Sequence, residues 1–237
     1  MFAKLLSGLL SNRSALSWLP SQCRVCRAWP AQPVCEACVH QFAQPQQRCE
    51  TCALPLPGDR RRCGACLKQT PPLDRCLAAV AYAYPWSSLI QDYKFHAEPG
   101  LVRSFAALLR AAPWVEAELE QTDLLLPMPL SAARLKQRGY NQALLLARQL
   151  APHKTNADVL LRIKDTPAQH TLKRAERLTV LNHAFAVDPL HVAEVKNRRV
   201  ILVDDVMTTG ASLFKAASVL KAAGARHVTG LVIARTE

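Results

Sequence analysis

Beyond Pro71-Pro72 the chain alternates short apolar runs with stretches of helical spacing, whereas residues 21–70 are rich in Pro, Arg and Gln and poor in branched aliphatics. In the later part, Val80 to Tyr84 reads as a strand, Trp86 to Tyr93 as a helix ending near Lys94, and Leu101 to Ala111 as a second helix stopped before Pro113. Leu124-Leu125-Leu126 reads as a buried strand running into Pro127-Met128-Pro129, and Asn141 to Leu150 repeats apolar residues at helical spacing with Asn141 as a good N-cap. Val159 to Ile163 fits a further strand. Residues 164–183 carry Lys164, Lys173, Arg174 and Arg177 among polar neighbours and predict a long exposed loop with some helix. Val200-Ile201-Leu202-Val203 is a continuous apolar run of the kind found in central parallel strands. A helix over 212–223 follows, closed by Gly224, and His227 to Ala234 makes a last strand. Strands alternating with helices predict an α/β domain over residues 77–237 with a central, mostly parallel sheet.

A chain of 237 residues has room for one or two domains. It contains no apolar run long enough to cross a bilayer, and Met1 to Pro20 is broken by Gly8, Asn12 and Arg13, unlike a signal peptide. Residues 1–20 are therefore expected to be an N-terminal extension, and the protein to be soluble and cytoplasmic, where thiols stay reduced. There are nine cysteines, and eight stand as four Cys-x2-Cys pairs: Cys23 and Cys26, Cys35 and Cys38, Cys49 and Cys52, Cys63 and Cys66. Two residues between thiols let a tight turn aim both at one cation, and two such knuckles complete a tetrahedral sulfur shell. The reading is two closed, structural Zn2+ sites, grouped in sequence order or cross-braced, stapling a 21–70 module too poor in apolar residues to fold unaided. Rubredoxin-type iron, a redox CxxC and four disulfides are the competing chemistries. Cys76 lies outside the spacing and reads as a small buried hydrophobe.

The net charge of +12 narrows the partners. Each four-thiolate site with a divalent ion carries a formal charge of about −2, so the Arg24, Arg27, Arg48 and Arg60-Arg61-Arg62 side chains beside the knuckles balance sulfur in part. Arg134, Lys136 and Arg138 have no compensating acid between Ser131 and Arg148, which suits a phosphate or nucleic-acid surface.

The densest chemistry is the run VILVDDVMTTGAS from Val200 to Ser212. An apolar strand delivers Asp204 and Asp205 at its C-terminal end, and a Thr-Thr-Gly-Ala-Ser turn opens a helix. Gly210 permits a tight turn, and the N–H groups of a helix N-terminus with the Thr208, Thr209 and Ser212 hydroxyls suit a phosphate dianion. A ligand carrying ribose hydroxyls beside a 5-phosphate fits both halves, since carboxylates accept from hydroxyls while the turn holds the phosphate. Neither a P-loop nor a dinucleotide fingerprint is present.

This run resembles the phosphoribosyl-pyrophosphate (PRPP) motif of type I phosphoribosyltransferases. With the four CxxC pairs ahead of it, the chain resembles the ComF/GntX family, a group associated with competence and DNA utilisation. LPMPLSAARLKQRGYNQA at 126–143, DTPAQHTLKRAER at 165–177 and YKF at 93–95 match the same family; Val180 departs from it, standing where an Asn is usual. The resemblance implies a type I phosphoribosyltransferase-like domain behind a double zinc ribbon. It implies that Asp204 and Asp205 hold the ribose hydroxyls and act in catalysis, and that the PRPP loop spans Val206, Met207, Thr208, Thr209, Gly210, Ala211 and Ser212. It places Met128, Pro129 and Leu130 beside the departing pyrophosphate, Lys164 and Arg177 on a mobile flap, and Mg2+ with the incoming PRPP. Cleavage at the anomeric carbon leaves an oxocarbenium-like sugar and a pyrophosphate of growing charge, so cations and exclusion of water are what such a site must supply.

Two functions compete at this point. One is an enzyme that transfers the phosphoribosyl group to an acceptor the sequence does not name. The other is a non-catalytic sensor of PRPP or nucleotides that holds single-stranded DNA and works with the DNA-uptake machinery. The intact acid pair favours PRPP binding, while aromatic residues at 6% give few stacking platforms for bases.

Overall fold

The computed structural model describes residues 21–96, 98–163 and 184–237. Contacts divide the chain into two compact units, the first ending at Phe42 and the second running from Ala43 to Glu237. In the first, the Cys23–Cys26 knuckle closes through Arg27 N–H donating to the Cys23 carbonyl at 2.9 Å, with Arg27 at φ 65°. The second knuckle runs directly into helix α1, Glu36–Phe42.

The second unit begins with the same device. Ala53 N–H donates to the Cys49 carbonyl at 2.8 Å, and Cys63 leads into the short helix α2, Gly64–Lys68. By contacts, the second pair of knuckles is in the same compact unit as the sheet. Cys49, Cys52, Cys63 and Cys66 share one apolar core with Leu73, Cys76, Val228 and Val232. Cys76 is buried as expected, its thiol donating to the Met207 sulfur at 3.5 Å.

The remaining elements are β1 (Arg75–Ala81), α3 (Trp86–Phe95), α4 (Val102–Ala111), α5 (Val115–Gln121), β2 (Leu124–Pro127), α6 (Ala132–Arg138), α7 (Gln142–Leu150), β3 (Leu160–Arg162), β4 (Phe185–Val187), α8 (Val192–Val195), β5 (Arg199–Met207), α9 (Ala211–Ala222) and β6 (His227–Arg235). Four strands form a fully parallel sheet in the order β1-β6-β5-β2, and β3 pairs antiparallel with β4. The two central strands are apolar almost throughout because both faces are covered. On one face, Val200 and Leu202 share a core with Leu213, Ala216, Ala217 and Leu220 of α9. On the other, α4 packs on β1 and β6, and α7 on β2 and β5.

At the N-terminal edge of the sheet a buried acid ties three strands together. Glu118 of α5 accepts from Arg75 of β1 at 3.4 Å, Arg199 of β5 at 3.2 Å and Thr229 of β6 at 2.8 Å. The opposite edge is left to the chemistry.

The strand predicted over Val80 to Tyr84 instead occupies Arg75–Ala81, because parallel pairing with β6 from Thr229 to Arg235 fixes it. The loop predicted over 164–183 lies outside the described residues.

Candidate functional site

β2 pairs with β5 only as far as Pro127 and Val203, while β6 continues alongside β5 to Met207 and Arg235. The strand thus runs on past the apolar residues, and Asp204 to Met207 have a neighbour on one side only within the sheet. Met128 N–H closes the last contact, donating to the Val203 carbonyl at 2.9 Å, and the chain then leaves the sheet. The two acids stand inside β5 and not beyond its end. Successive strand residues point to opposite faces, so Asp204 lies on the side of α9 and Asp205 on the side of α3 and α7.

Asp205 is buried and paired: Lys94 Nζ of α3 lies 2.9 Å from its Oδ1. Asp204 is half-buried and accepts from the Asp205 backbone N–H at 2.9 Å. Burial, and then the neighbouring Asp205 carboxylate, push the Asp204 carboxyl up to about 7, against the opposing pull of Lys94 and Arg138.

The turn after β5 is built on Gly210, at φ 81°, where a Cβ would stand 2.4 Å from the Met207 Cε and 2.7 Å from the Phe214 ring. Thr209 Oγ1 accepts from Ala211 N–H at 3.3 Å, and α9 begins there. Thr208, Thr209, Ala211 and Ser212 are exposed, and the Thr208 and Ser212 hydroxyls make no hydrogen bond among the described residues. Two residues of the expected loop lie within β5. Val206 and Met207 are still strand, and Met207 is buried in the core as the acceptor of the Cys76 thiol.

Met128, Pro129 and Leu130 lead from β2 to the Ser131 cap of α6, whose Oγ accepts from Arg134 N–H at 3.3 Å. Asn141 caps α7 as expected, its Oδ1 accepting from Ala143 and Leu144 N–H at 2.9 and 3.3 Å. Its amide also donates to the Met128 carbonyl at 3.1 Å, which ties the loop to α7. Lys164 and Arg177, with the rest of the flap and Val180, lie outside the described residues.

Lys94 is the residue that sequence reasoning missed. The buried positions of α3 are Trp86, Leu89, Ile90 and Tyr93, and Lys94 falls four residues after Ile90 on that apolar stripe. A lysine at a core position calls for a buried acid, and that was the available signal. Its backbone is fixed by the match between YKF and RGYNQ. Tyr93 Oη donates to the Gln142 carbonyl at 2.9 Å, Tyr140 Oη donates to the Tyr93 carbonyl, and Gln142 Nε2 donates to the Lys94 carbonyl at 3.5 Å. Arg138 donates to Gln142 Oε1 at 3.1 Å while its guanidinium sits 4.9 Å from the Phe95 ring centre. Burial pushes the Tyr93 hydroxyl well above its ordinary range.

The cysteines gather in sequence order, as Cys23, Cys26, Cys35 and Cys38 and as Cys49, Cys52, Cys63 and Cys66, with each set of sulfurs within 4.8 Å. Sulfur pairs stand at 3.8 and 3.6 Å in the first cluster and 3.7 Å in the second. These are the edges of a tetrahedron about 2.3 Å in radius, the Zn–S length, and not the ~2.05 Å of a disulfide. All nine cysteines are free. Burial would raise the Cys49 thiol, but backbone N–H groups of Cys63, Cys52 and Thr51 bring it down to about 7. Either cluster could hold a metal ion. The Arg60-Arg61-Arg62 run lines an open cleft beside the second, where Arg61 Nε pairs with Glu50 at 2.7 Å.

Residues 136–236, which include the acid pair and the whole turn, match the family model of the phosphoribosyl transferase domain. Competence protein F of Haemophilus influenzae is 35% identical over 177 residues, 71% of this chain and 76% of that protein. The chain belongs to the ComF family. DNA utilization protein YhgH of Salmonella typhimurium, another relative of this ComF-family chain, is 29% identical over 227 residues, 93% of this chain and 97% of that protein. Competence protein ComFC of Bacillus subtilis is 30% identical over 158 residues, 65% and 62% of the two chains. Among the described residues, no helix is long and apolar enough to cross a membrane.

Proposed function

We propose that this ComF-family protein binds PRPP at the open end of β5 and acts on it as a phosphoribosyltransferase in the handling of DNA. The observation that carries the reading is the turn at Gly210, where a left-handed glycine lets exposed Thr208, Thr209 and Ser212 stand at the start of α9, directly after the strand that carries Asp204. Exposed hydroxyls and the N-terminal N–H groups of a twelve-residue helix form an anion seat. An ionised carboxylate next to it is an acceptor for ribose hydroxyls. In this reading Met128 to Leu130 border the pyrophosphate, Lys164 and Arg177 close over it, and Mg2+ arrives with PRPP and neutralises the leaving group.

The names of the relatives support DNA as the setting, and the basic side chains of α6 support a polyanion as the partner. Zinc is proposed for both cysteine clusters as a structural ion, since each closed four-sulfur shell leaves no open position for a substrate.

The test is incubation of the purified protein with PRPP and magnesium, with and without single-stranded DNA, following released pyrophosphate and, in parallel, PRPP binding by calorimetry. Asp204→Ala with Asp205→Ala is expected to abolish PRPP binding and leave two zinc ions per chain. Undiminished PRPP affinity in that variant would remove the site. Binding without pyrophosphate release, in the presence of DNA as in its absence, would make the protein a PRPP sensor.

A further inference from the structure

Adjacent acids on one strand are usually read together, yet here their surroundings differ. Asp205 is enclosed on the α3 side and its charge is met at 2.9 Å by Lys94, the side chains of this pair being only 10% and 16% exposed. Asp204 lies on the α9 side, on the strand that runs into the Gly210 turn, and has no salt-bridge partner among the described residues. Lys94 is not placed by chance: three hydrogen bonds join Tyr93 and Lys94 itself to Tyr140 and Gln142.

We propose that Lys94 is a positioning residue of the sugar-phosphate site: it pins and neutralises Asp205, leaving Asp204 as the carboxylate that meets the ribose hydroxyls. The inference rests on the PRPP reading and divides the work of the two acids within it. Two neighbouring carboxylates without a cation carry two negative charges on adjacent, largely buried residues, and one of them then takes up a proton. A protonated Asp204 is a poorer acceptor for the sugar. With Lys94 present the pair carries one net charge, and Asp204 can ionise. The charged groups acting on Asp204 are Asp205 of its own strand, Lys94 of α3 and Arg138 of α6. Removal of Lys94 leaves Arg138 as the cation among these.

The experiment measures PRPP affinity by calorimetry between pH 6 and 9 for the wild-type chain, Lys94→Met, Asp204→Asn, and Lys94→Met combined with Asp205→Asn. Lys94→Met is expected to weaken binding at pH 7 by up to about tenfold, since unmasking the Asp205 charge raises the neighbouring Asp204 carboxyl and a rise of about one unit lowers its ionised fraction by that factor. The loss should shrink as pH rises, a profile that mere loosening of α3 would not produce. The double variant, which removes both charges of the pair, should show the same pH profile of affinity as wild type if Lys94 acts only through Asp205, whatever its absolute affinity. Should Lys94→Met alone not fold, the double variant decides: a wild-type pH profile supports the proposal, and a profile that falls more steeply toward acid overturns it. Wild-type binding that Asp204→Asn abolishes and Lys94→Met leaves unchanged at every pH removes the role of Lys94 and spares the PRPP site. A wild-type chain that binds no PRPP removes both.

Discussion

Asp204 is held in a place where its charge is costly. In an unfolded chain an aspartate titrates near 3.9; in the folded chain burial and the Asp205 carboxylate push this one up to about 7. Between those values the folded state keeps a proton that the unfolded state has lost, so stability declines as pH rises from about 4, and the full penalty is present above 7. Asp204→Asn removes the titration. It should raise the melting temperature at pH 8, with the gap to wild type closing by pH 5, while PRPP binding is lost. Thermal melts across that range check it, and a variant that melts lower at pH 8 would mean that the carboxylate is stabilised where it stands. A residue that weakens the fold in its working charge state is what a binding site, as opposed to a core, asks for.

The strand-turn-helix from β5 to α9 joins that carboxylate to the proposed anion seat, and its geometry depends on one glycine. Gly210→Ala places a Cβ at φ 81° against Met207 and Phe214. The left-handed backbone alone should cost about 1 kcal/mol or more, since only glycine adopts it freely. The expected result is a lower melting temperature together with PRPP affinity down by at least about tenfold, read in the same calorimeter. Most of this element was legible beforehand: the apolar run at 200–203, the acids, the turn and Gly224 at φ 92° after the helix all follow from local rules. What was not legible is tertiary. β5 continues through Asp204 and Asp205 because β6 pairs with it to Met207, and polar residues within a strand break the periodicity that marks strands. α6 has no buried residue and so offers no stripe to read. β1 starts at Arg75 on alanine-rich sequence of low strand propensity, and pairing with β6 makes it a strand. The Lys94–Asp205 pair joins elements far apart in sequence, beyond the reach of any spacing rule.

The two cysteine clusters look alike in sequence and are unlike in the folded chain. In the first, Cys26 is exposed and Cys35 half-buried, and the cluster belongs to the small unit ending at Phe42. In the second all four cysteines are buried in the core that β5 and β6 share with α9. Arg235, at the end of β6, donates from Nε to the Cys52 carbonyl at 2.9 Å and from its guanidinium to the Met207 carbonyl at 3.3 Å. Cys76 N–H of β1 donates to the Glu50 carbonyl at 2.7 Å. The second knuckle pair is therefore bonded to β6 and β1, and through Arg235 to the end of β5, the strand that carries the acids, so a metal held there would be coupled to the folding of the sheet. A chelator should accordingly act in two phases: fast loss of one ion, with Cys26 and Cys35 becoming alkylated first, then slow loss of the other. Only the second loss should unfold the sheet. Cys26→Ser is expected to leave the melting temperature of the sheet unit within about 2 °C of wild type, and Cys52→Ser to lower it by more than about 5 °C. Zinc release, alkylation mapping and calorimetric melts check this. A single phase with both variants equally stable would separate the second cluster from the core and leave the Arg235 bonds without consequence for the site.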